Sequence, residues 1–293
     1  MYMFSVVIPA FNASSEIKNT LDSVFNQKFT NYEVVIVDDC SDDSEELKLV
    51  IEHYQSKYDN LKCFYSKVKL NGSGARNKGV EISSGKYIAL LDADDTWHED
   101  KLLRYNEEIC RLDKKDIIFY SKLNVMQDGC KIKEMPVRPY VVSKETIASY
   151  LFGVAGFIQT STIVVHRDTY LKVKFNEGFI RHQDYDFCIR ADQIGLYFHF
   201  IPELLSNYNI RGRSTAKNKG ESVKFSSWWL LQMKPYLNKK DVRVYKAFKL
   251  THKLKSDGNG IMSIINFGLF FMGSSSLAKK DFFIYILRRI KNG

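Results

Sequence analysis

The first 95 residues alternate runs too apolar to be exposed on either face with segments of helical periodicity, and this alternation constrains the fold most. "FSVVIP" is a continuous, β-branched run; behind it Ile17, Leu21, Val24 and Phe25 fall on one helical face, with Ser14 and Ser15 as the expected cap. "YEVVIVDD" predicts a second strand, after which Leu47, Val50, Ile51 and Tyr54 recur at helical spacing, and "LKCFYS" and "KYIALLDADD" repeat the alternation. Strands that are apolar throughout and separated by helices predict a parallel sheet covered on both faces. Such sheets bind ligands outside the carboxyl ends of their strands. Three polar clusters lie at such ends, "PAFN" (9–12), "DDCSDD" (38–43) and "DADD" (92–95), so the three are expected to form one site.

After residue 115 the pattern loosens. "DIIFYS", a hairpin turn at Asp128-Gly129 and the strand-like "FIQTSTIVVH" (157–166) predict a mixed sheet closing over the first half. In "RHQDYDFCIRADQIG" (181–195), Tyr185, Cys188, Ile189 and Asp192 recur at helical spacings, which puts Asp184 near a helix start. Beyond Asn207 the chain turns basic and aromatic, with helices expected around 221–236 and 240–255.

A chain of 293 residues with 45% hydrophobic composition can bury a full core. Its net charge of +9 is unevenly placed: residues 1–204 hold 25 Lys/Arg against 30 Asp/Glu, and residues 205–293 hold 18 against 4. A basic tail of this kind points to an anionic partner. Five scattered cysteines without a C-x-x-C pair support neither a disulfide framework nor a zinc site, and a reducing compartment is expected. The N-terminus lacks the basic and long apolar regions of a signal peptide. The longest apolar stretch, "IMSIINFGLFFMG" (261–273), is shorter than the ~20 residues a spanning helix needs, so it is expected to lie on a membrane rather than cross one.

Three readings compete for Asp92, Asp94 and Asp95: a divalent-metal site, a phosphatase nucleophile loop, or a solvated turn. Asp92-x-Asp94-x-Thr96 after an apolar strand matches the D-x-D-x-T loop of haloacid-dehalogenase-like enzymes, with Asp92 attacking phosphorus. That fold needs a downstream lysine and a second acidic pair at another strand end, and "RHQDYD" follows no apolar strand. Three carboxylates crowded at the mouth of a buried strand repel one another unless a cation offsets them. Oxygen ligands without His or Cys suit Mg²⁺ or Mn²⁺, ions that also bind substrate phosphates.

The ordered series "VVIPAFN", "VVIVDDCSDDS", "GARNKGVEISSGKYIALLDADD" and "QDYDFCIR" resembles the inverting glycosyltransferases of family 2, over about residues 4–215. The resemblance implies an α/β GT-A fold: a Rossmann-like, mostly parallel central sheet flanked by helices, here with a basic helical C-terminal extension. It implies a catalytic domain over 1–215, with a nucleotide-binding half (1–115) and an acceptor-binding half (116–215), followed by a helical region over 216–293. It puts Pro9, Ala10 and Phe11 against base and ribose. Asp39, with Asp38 beside it, would accept from the base N–H, which favours a UDP-sugar donor, and Arg76 would lie near the diphosphate. Asp94 would ligate Mn²⁺ or Mg²⁺, Asp92 would approach the ribose or the ion, and Asp184 would be the general base of a single displacement. Arg211 or Arg213 would meet the diphosphate. Two departures from the family pattern are visible. Gln183 stands where Glu is common, suggesting a changed hydrogen bond to the acceptor, and "YNIRGRS" replaces a Tyr-Arg-x-His loop. Asp186 and the lone His182 are expected to orient or be solvated rather than react.

In the last segment, Phe282, Phe283, Ile286, Leu287 and Ile290 share a helical face ringed by Lys279, Lys280, Arg288, Arg289 and Lys291. That pattern suits an interfacial helix on anionic lipid, or a helix docked on the catalytic domain or on a second copy in an oligomer. No RNA- or DNA-binding motif accompanies the charge, so no nucleic acid partner is expected. With the resemblance, the lipid reading implies a lipid-linked saccharide acceptor at the inner face of the cell membrane and a role in O-antigen or capsule assembly. The alternatives are the phosphatase and a catalytically silent sugar-nucleotide-binding scaffold.

Overall fold

The computed structural model describes residues 1–210, 222–250 and 260–291. Four strands, β1 (Phe4–Ala10), β2 (Tyr32–Asp38), β3 (Leu61–Tyr65) and β4 (Tyr87–Leu90), pair in parallel in the order β3-β2-β1-β4. The crossovers carry α1 (Ile17–Phe25), α2 (Ser44–Gln55) and α3 (Asn71–Ile82). Every residue of β2 is buried, as continuous apolarity predicts for a strand covered on both faces. The helix α3 rests directly on the sheet, because an added Cβ at Gly79 would stand 2.5 Å from Val7 Cγ1. The expected serine cap of α1 is not formed. Glu16 occupies the cap position without a side-chain capping bond, its carboxylate accepting from Ser15 Oγ, and Ser14 N donates to Asp43 Oδ2 at 2.9 Å, tying the β1 exit to the β2 exit.

The second half closes the sheet in mixed sense. β6 (Ile117–Gln127) and β7 (Cys130–Met135) form the predicted hairpin, with Asp128 and Gly129 at φ 50° and 76°, the left-handed pair that a tight primed turn needs. β8 (Val164–His166) lies antiparallel between β4 and β6; β9 (Tyr197–Ile210) runs parallel to β6, and β5 (Thr96–Trp97) pairs antiparallel with β9. The remaining helices of this half are α4 (Lys101–Leu112), α5 (Ile147–Phe152), α6 (Arg167–Val173) and α7 (Gln183–Gln193). The strand expected over 157–166 survives only as β8. Thr160–Thr162 coil into a 3-10 turn capped by Gln159, whose side chain accepts from Ser161 N. Polar side chains in that run bond to the β4 exit instead of extending the ladder.

The chain divides into two compact units, Met1–Glu134 with Ile158–Phe187 and Gly195–Gly212, and Met135–Phe157 with Cys188–Ile194 and Arg213–Gly293. The first is built around Val6, Ile8, Val34, Ile36, Tyr105 and Phe119, all fully buried. In the second, Phe152, Trp229 and Tyr245 pack with ring centroids 5.0–6.0 Å apart. Arg138 there is shared by the carboxylates of Glu145 and Asp281. Helices Gly260–Gly273 and Ser276–Lys291 meet through Phe267, Phe270 and Phe282, while Ile264, Phe283 and Leu287 stay exposed. No described helix is long and apolar enough to cross a membrane.

Candidate active site

The carboxyl ends of β1 and β2 are stitched together by Asp39 N, which donates to Ala10 O at 2.8 Å. Beyond Pro9 and Ala10, the Phe11 ring is exposed and lies beneath the Lys69 ammonium. The same ammonium sits 2.9 Å from Asp39 Oδ2, and Leu70 N donates to Asp39 Oδ1. Asp38 faces elsewhere: it accepts from the Ser41 and Ser44 hydroxyls and so shapes the turn into α2. Phe11, Lys69 and Asp39 thus form one contiguous rim, with Asp38 as its support.

The β4 exit is gripped from several sides. Asp92 Oδ1 lies 2.5 Å from Arg76 Nη2, Asp92 Oδ2 accepts from Gln159 Nε2 at 3.0 Å, and Asp92 N donates to Ser161 Oγ at 2.9 Å. Asp95 is 0% exposed; it accepts from Gln159 Nε2 at 2.9 Å, Ser161 Oγ at 2.6 Å and Asn209 N at 2.9 Å. Asn209 Nδ2 also donates to the Asp94 carbonyl at 2.6 Å. A solvated turn has no such partners, and that reading fails here. Burial, and then the charges of Asp92 and Asp94, push the Asp95 carboxyl well above the usual range.

Asp184 sits half-buried at the start of α7, just after His182, whose φ of 60° turns the chain into the helix. Its Oδ1 accepts from Tyr185 N at 2.9 Å. One group senses both this carboxylate and the β4 exit: the Tyr208 hydroxyl is pushed up by burial and by the charges of Asp95, Asp92, Asp184 and Asp94. A second link is Arg76, whose Nη1 donates to Gln183 Oε1 at 2.8 Å. Gln183 Nε2 donates to Phe179 O at 2.8 Å, so this amide is already committed on both sides. Asp186 is buried, and the His182 ring stacks on Tyr185 at 5.3 Å. Arg211 and Arg213 lie outside the described residues.

Sequence reasoning missed Lys69, Gln159, Ser161 and Tyr208. The signal for two of them was present, since "QTST" is a polar interruption in an apolar run, and buried polar side chains require partners.

Among the described residues, no three His, Cys, Asp or Glu side chains form a ready-made metal cage. A cation shared with a substrate phosphate needs only one or two carboxylates, because Mg²⁺-type ions keep water and phosphate in their shell. The residues fit such an ion. Asp94 is half-buried beside Asp92, and the upward push that both exert on Asp95 is a repulsion that a cation would relieve. Both Asp92 oxygens accept hydrogen bonds, from Arg76 and from Gln159.

Residues 5–165 match the family model described as Glycosyl transferase family 2. The amylovoran biosynthesis glycosyltransferase AmsB of Erwinia amylovora is 44% identical over 293 residues, spanning 98% of this chain and 96% of the relative. WfgD of Escherichia coli, a UDP-Glc:alpha-D-GlcNAc-diphosphoundecaprenol beta-1,3-glucosyltransferase, is 28% identical over 232 residues, covering 76% of this chain and 83% of WfgD. Among solved structures, S. aureus TarS 1-349 in complex with UDP-GlcNAc superposes with a TM-score of 0.67 at 19% identity, covering 93% of this chain and 81% of that one. The complex of TarS with UDP gives 0.63 at 18%, covering 89% and 74%. The GT-A fold expected from the sequence is therefore the fold observed. The phosphatase reading of Asp92 gives way to it, and the chain belongs to glycosyltransferase family 2.

Proposed function

We propose that this chain is a metal-dependent, inverting glycosyltransferase. It moves a hexose or N-acetylhexosamine from a UDP-sugar to a hydroxyl of a lipid-linked saccharide, in assembly of a bacterial surface polysaccharide of the O-antigen or capsule type. The observation that carries this reading is the Arg76 bridge: the guanidinium lies 2.5 Å from Asp92 Oδ1 and donates to Gln183 Oε1 at 2.8 Å, so one cation joins the acidic β4 exit to the residue that precedes Asp184. The names of WfgD and AmsB support a lipid-linked acceptor and a polysaccharide product, and the TarS complexes support a UDP donor.

In this reading residues 1–115 bind the nucleotide, 116–215 the acceptor, and 216–293 meet the membrane. Asp39 accepts the uracil N–H, with Pro9, Ala10 and Phe11 forming the floor under base and ribose and Asp38 holding the turn. Asp94 would hold Mn²⁺ or Mg²⁺, with Asp92 directed to the ribose or to the ion. When bound, the ion neutralises charge on the departing diphosphate. Arg76 and Arg211 add positive potential at the same group. Asp184 removes the proton from the acceptor hydroxyl as that oxygen attacks the anomeric carbon. A single displacement inverts the configuration, so an α-linked donor yields a β-linkage.

Calorimetric titration of UDP in Mn²⁺ and then in EDTA, on wild type and Asp94→Ala, tests the donor side. Metal-dependent binding that the variant loses is the expected result. No UDP binding in either condition, with GDP and dTDP also blank, would sink the nucleotide-sugar reading.

A further inference from the structure

Arg76 is held by one acid and one amide. Its Nη2 lies 2.5 Å from Asp92 Oδ1, its Nη1 donates to Gln183 Oε1 at 2.8 Å, and its guanidinium carbon lies 5.2 Å from the centre of the Phe175 ring. The amide has only one orientation that satisfies it, because Gln183 Nε2 donates to Phe179 O and Oε1 is thereby turned to Arg76. The α3 backbone closes the clasp from below: an added Cβ at Gly72 would stand 2.9 Å from Gln183 Oε1 and 3.0 Å from Arg76 Nη1. Arg76 is 7% exposed, and among the described residues its buried Nε–H has no hydrogen-bond partner and Asp92 is its one ion-pair carboxylate. It is therefore a nearly buried cation with one neutralising carboxylate and an unspent donor.

A carboxylate at position 183 would change that balance. Arg76 would then face two anions, and a region already holding Asp92 and Asp94 would gain a further negative charge. Charges a few ångströms apart behind protein walls interact by more than thermal energy, so such a group would repel an incoming diphosphate. The neutral amide gives the same geometric hold at no such cost.

Resting on the UDP-sugar reading above, we propose that Gln183 is a positioning residue for the nucleotide diphosphate. It orients Arg76 through a neutral hydrogen bond and preserves the positive potential of that guanidinium. Its role is thus on the donor side of the reaction.

Titrations of UDP and of uridine into wild type, Gln183→Glu and Gln183→Ala, all with Mn²⁺, separate the outcomes. Uridine lacks the diphosphate and reports on any general damage to the base site. Gln183→Glu, isosteric and able to form an ion pair with Arg76, exchanges the bond to Phe179 O for that pair, so its thermal midpoint is expected to fall while the variant still folds, and its UDP Kd to rise about tenfold. Gln183→Ala loses the clasp without adding charge, and its UDP Kd is expected to rise about twofold to threefold. Uridine binding should move in neither variant. Wild-type UDP affinity in both variants overturns the inference, as does a parallel loss of uridine affinity or an equal UDP loss in Glu and Ala. Should the Glu variant not fold, the Ala variant alone decides between the UDP-only loss and no loss. A wild type that binds no UDP overturns the donor reading itself, an outcome distinct from the others.

Discussion

Asp184 and Lys101 are two titratable side chains in opposite situations. Asp184 is half-buried at a helix start, and the proposed function gives it the part of general base. A positioned general base contributes about 10²- to 10⁴-fold to rate. Asp184→Asn is expected to lower kcat by about that range while UDP affinity holds; full turnover in the variant would move the base elsewhere. Lys101 is fully buried and has no carboxylate partner among the described residues. Its Nζ donates to Ser206 Oγ at 3.0 Å and sits 5.0 and 4.4 Å from the Trp97 and Tyr105 ring centres. Burial pushes its pKa well below the usual value, which means that the unfolded chain binds more protons than the folded one between the lowered and the ordinary value. Stability therefore rises with pH through that window. Lys101→Met removes this slope and leaves Tyr105 Oη donating to Thr162 O and Ser206 Oγ to Ser161 O. Urea unfolding at two pH values is expected to show a Met variant at least as stable as wild type at neutral pH, with a flatter pH dependence. A loss of more than about 2 kcal/mol would mean that the ammonium is stabilising where it stands.

At the scale of elements, what was legible in the sequence was whatever repeats a period. The β-branched runs of β1 and β2 and the helical faces of α1 and α2 read directly, because burial on both faces admits polar side chains only where they find partners, as Ser5 and Glu33 do in each other. The acids at the strand ends read for the same reason, as charges where apolarity stops. Gln159 and Ser161 did not. They lie inside a run whose apolar neighbours promise a strand, and only the need of the buried Asp95 for donors, a tertiary fact, turns that run into a capped 3-10 turn. Nor can any period show that α3 must carry glycine at the point where it crosses β1. An added Cβ at Gly79 would meet Val7 Cγ1 at 2.5 Å and Val37 Cγ2 at 3.4 Å, and both valines are fully buried. Gly79→Ala gains about 1 kcal/mol of helix propensity and loses about 1–3 to overpacking. A net loss of stability on urea unfolding is expected, and a gain would show that the helix can lift off the sheet without penalty.

For the whole molecule, the question is how a chain without a spanning helix among its described residues would meet the lipid-linked acceptor proposed for it. Residues 205–293 carry 18 Lys/Arg against 4 Asp/Glu, and the two terminal helices leave Ile264 at 75% and Leu287 at 66% exposure, with Phe283 at 57%. Each term alone has a bland explanation, since single exposed apolar side chains and solvated lysines are common. Together they match what a bilayer rewards, apolar insertion at the headgroup boundary plus attraction of cations to an anionic leaflet. The two terms predict different sensitivities. Cosedimentation with vesicles containing phosphatidylglycerol is expected to exceed that with pure phosphatidylcholine and to weaken as salt rises, because the charge contribution is screened. Ile264→Ser with Leu287→Ser should weaken binding at every salt concentration while leaving UDP affinity intact, since those side chains are too exposed to support the core. Equal binding to neutral and anionic vesicles would remove the electrostatic part. An unaltered double variant would assign the apolar face to a protein partner instead, a second copy of this chain being tested by its sedimentation equilibrium.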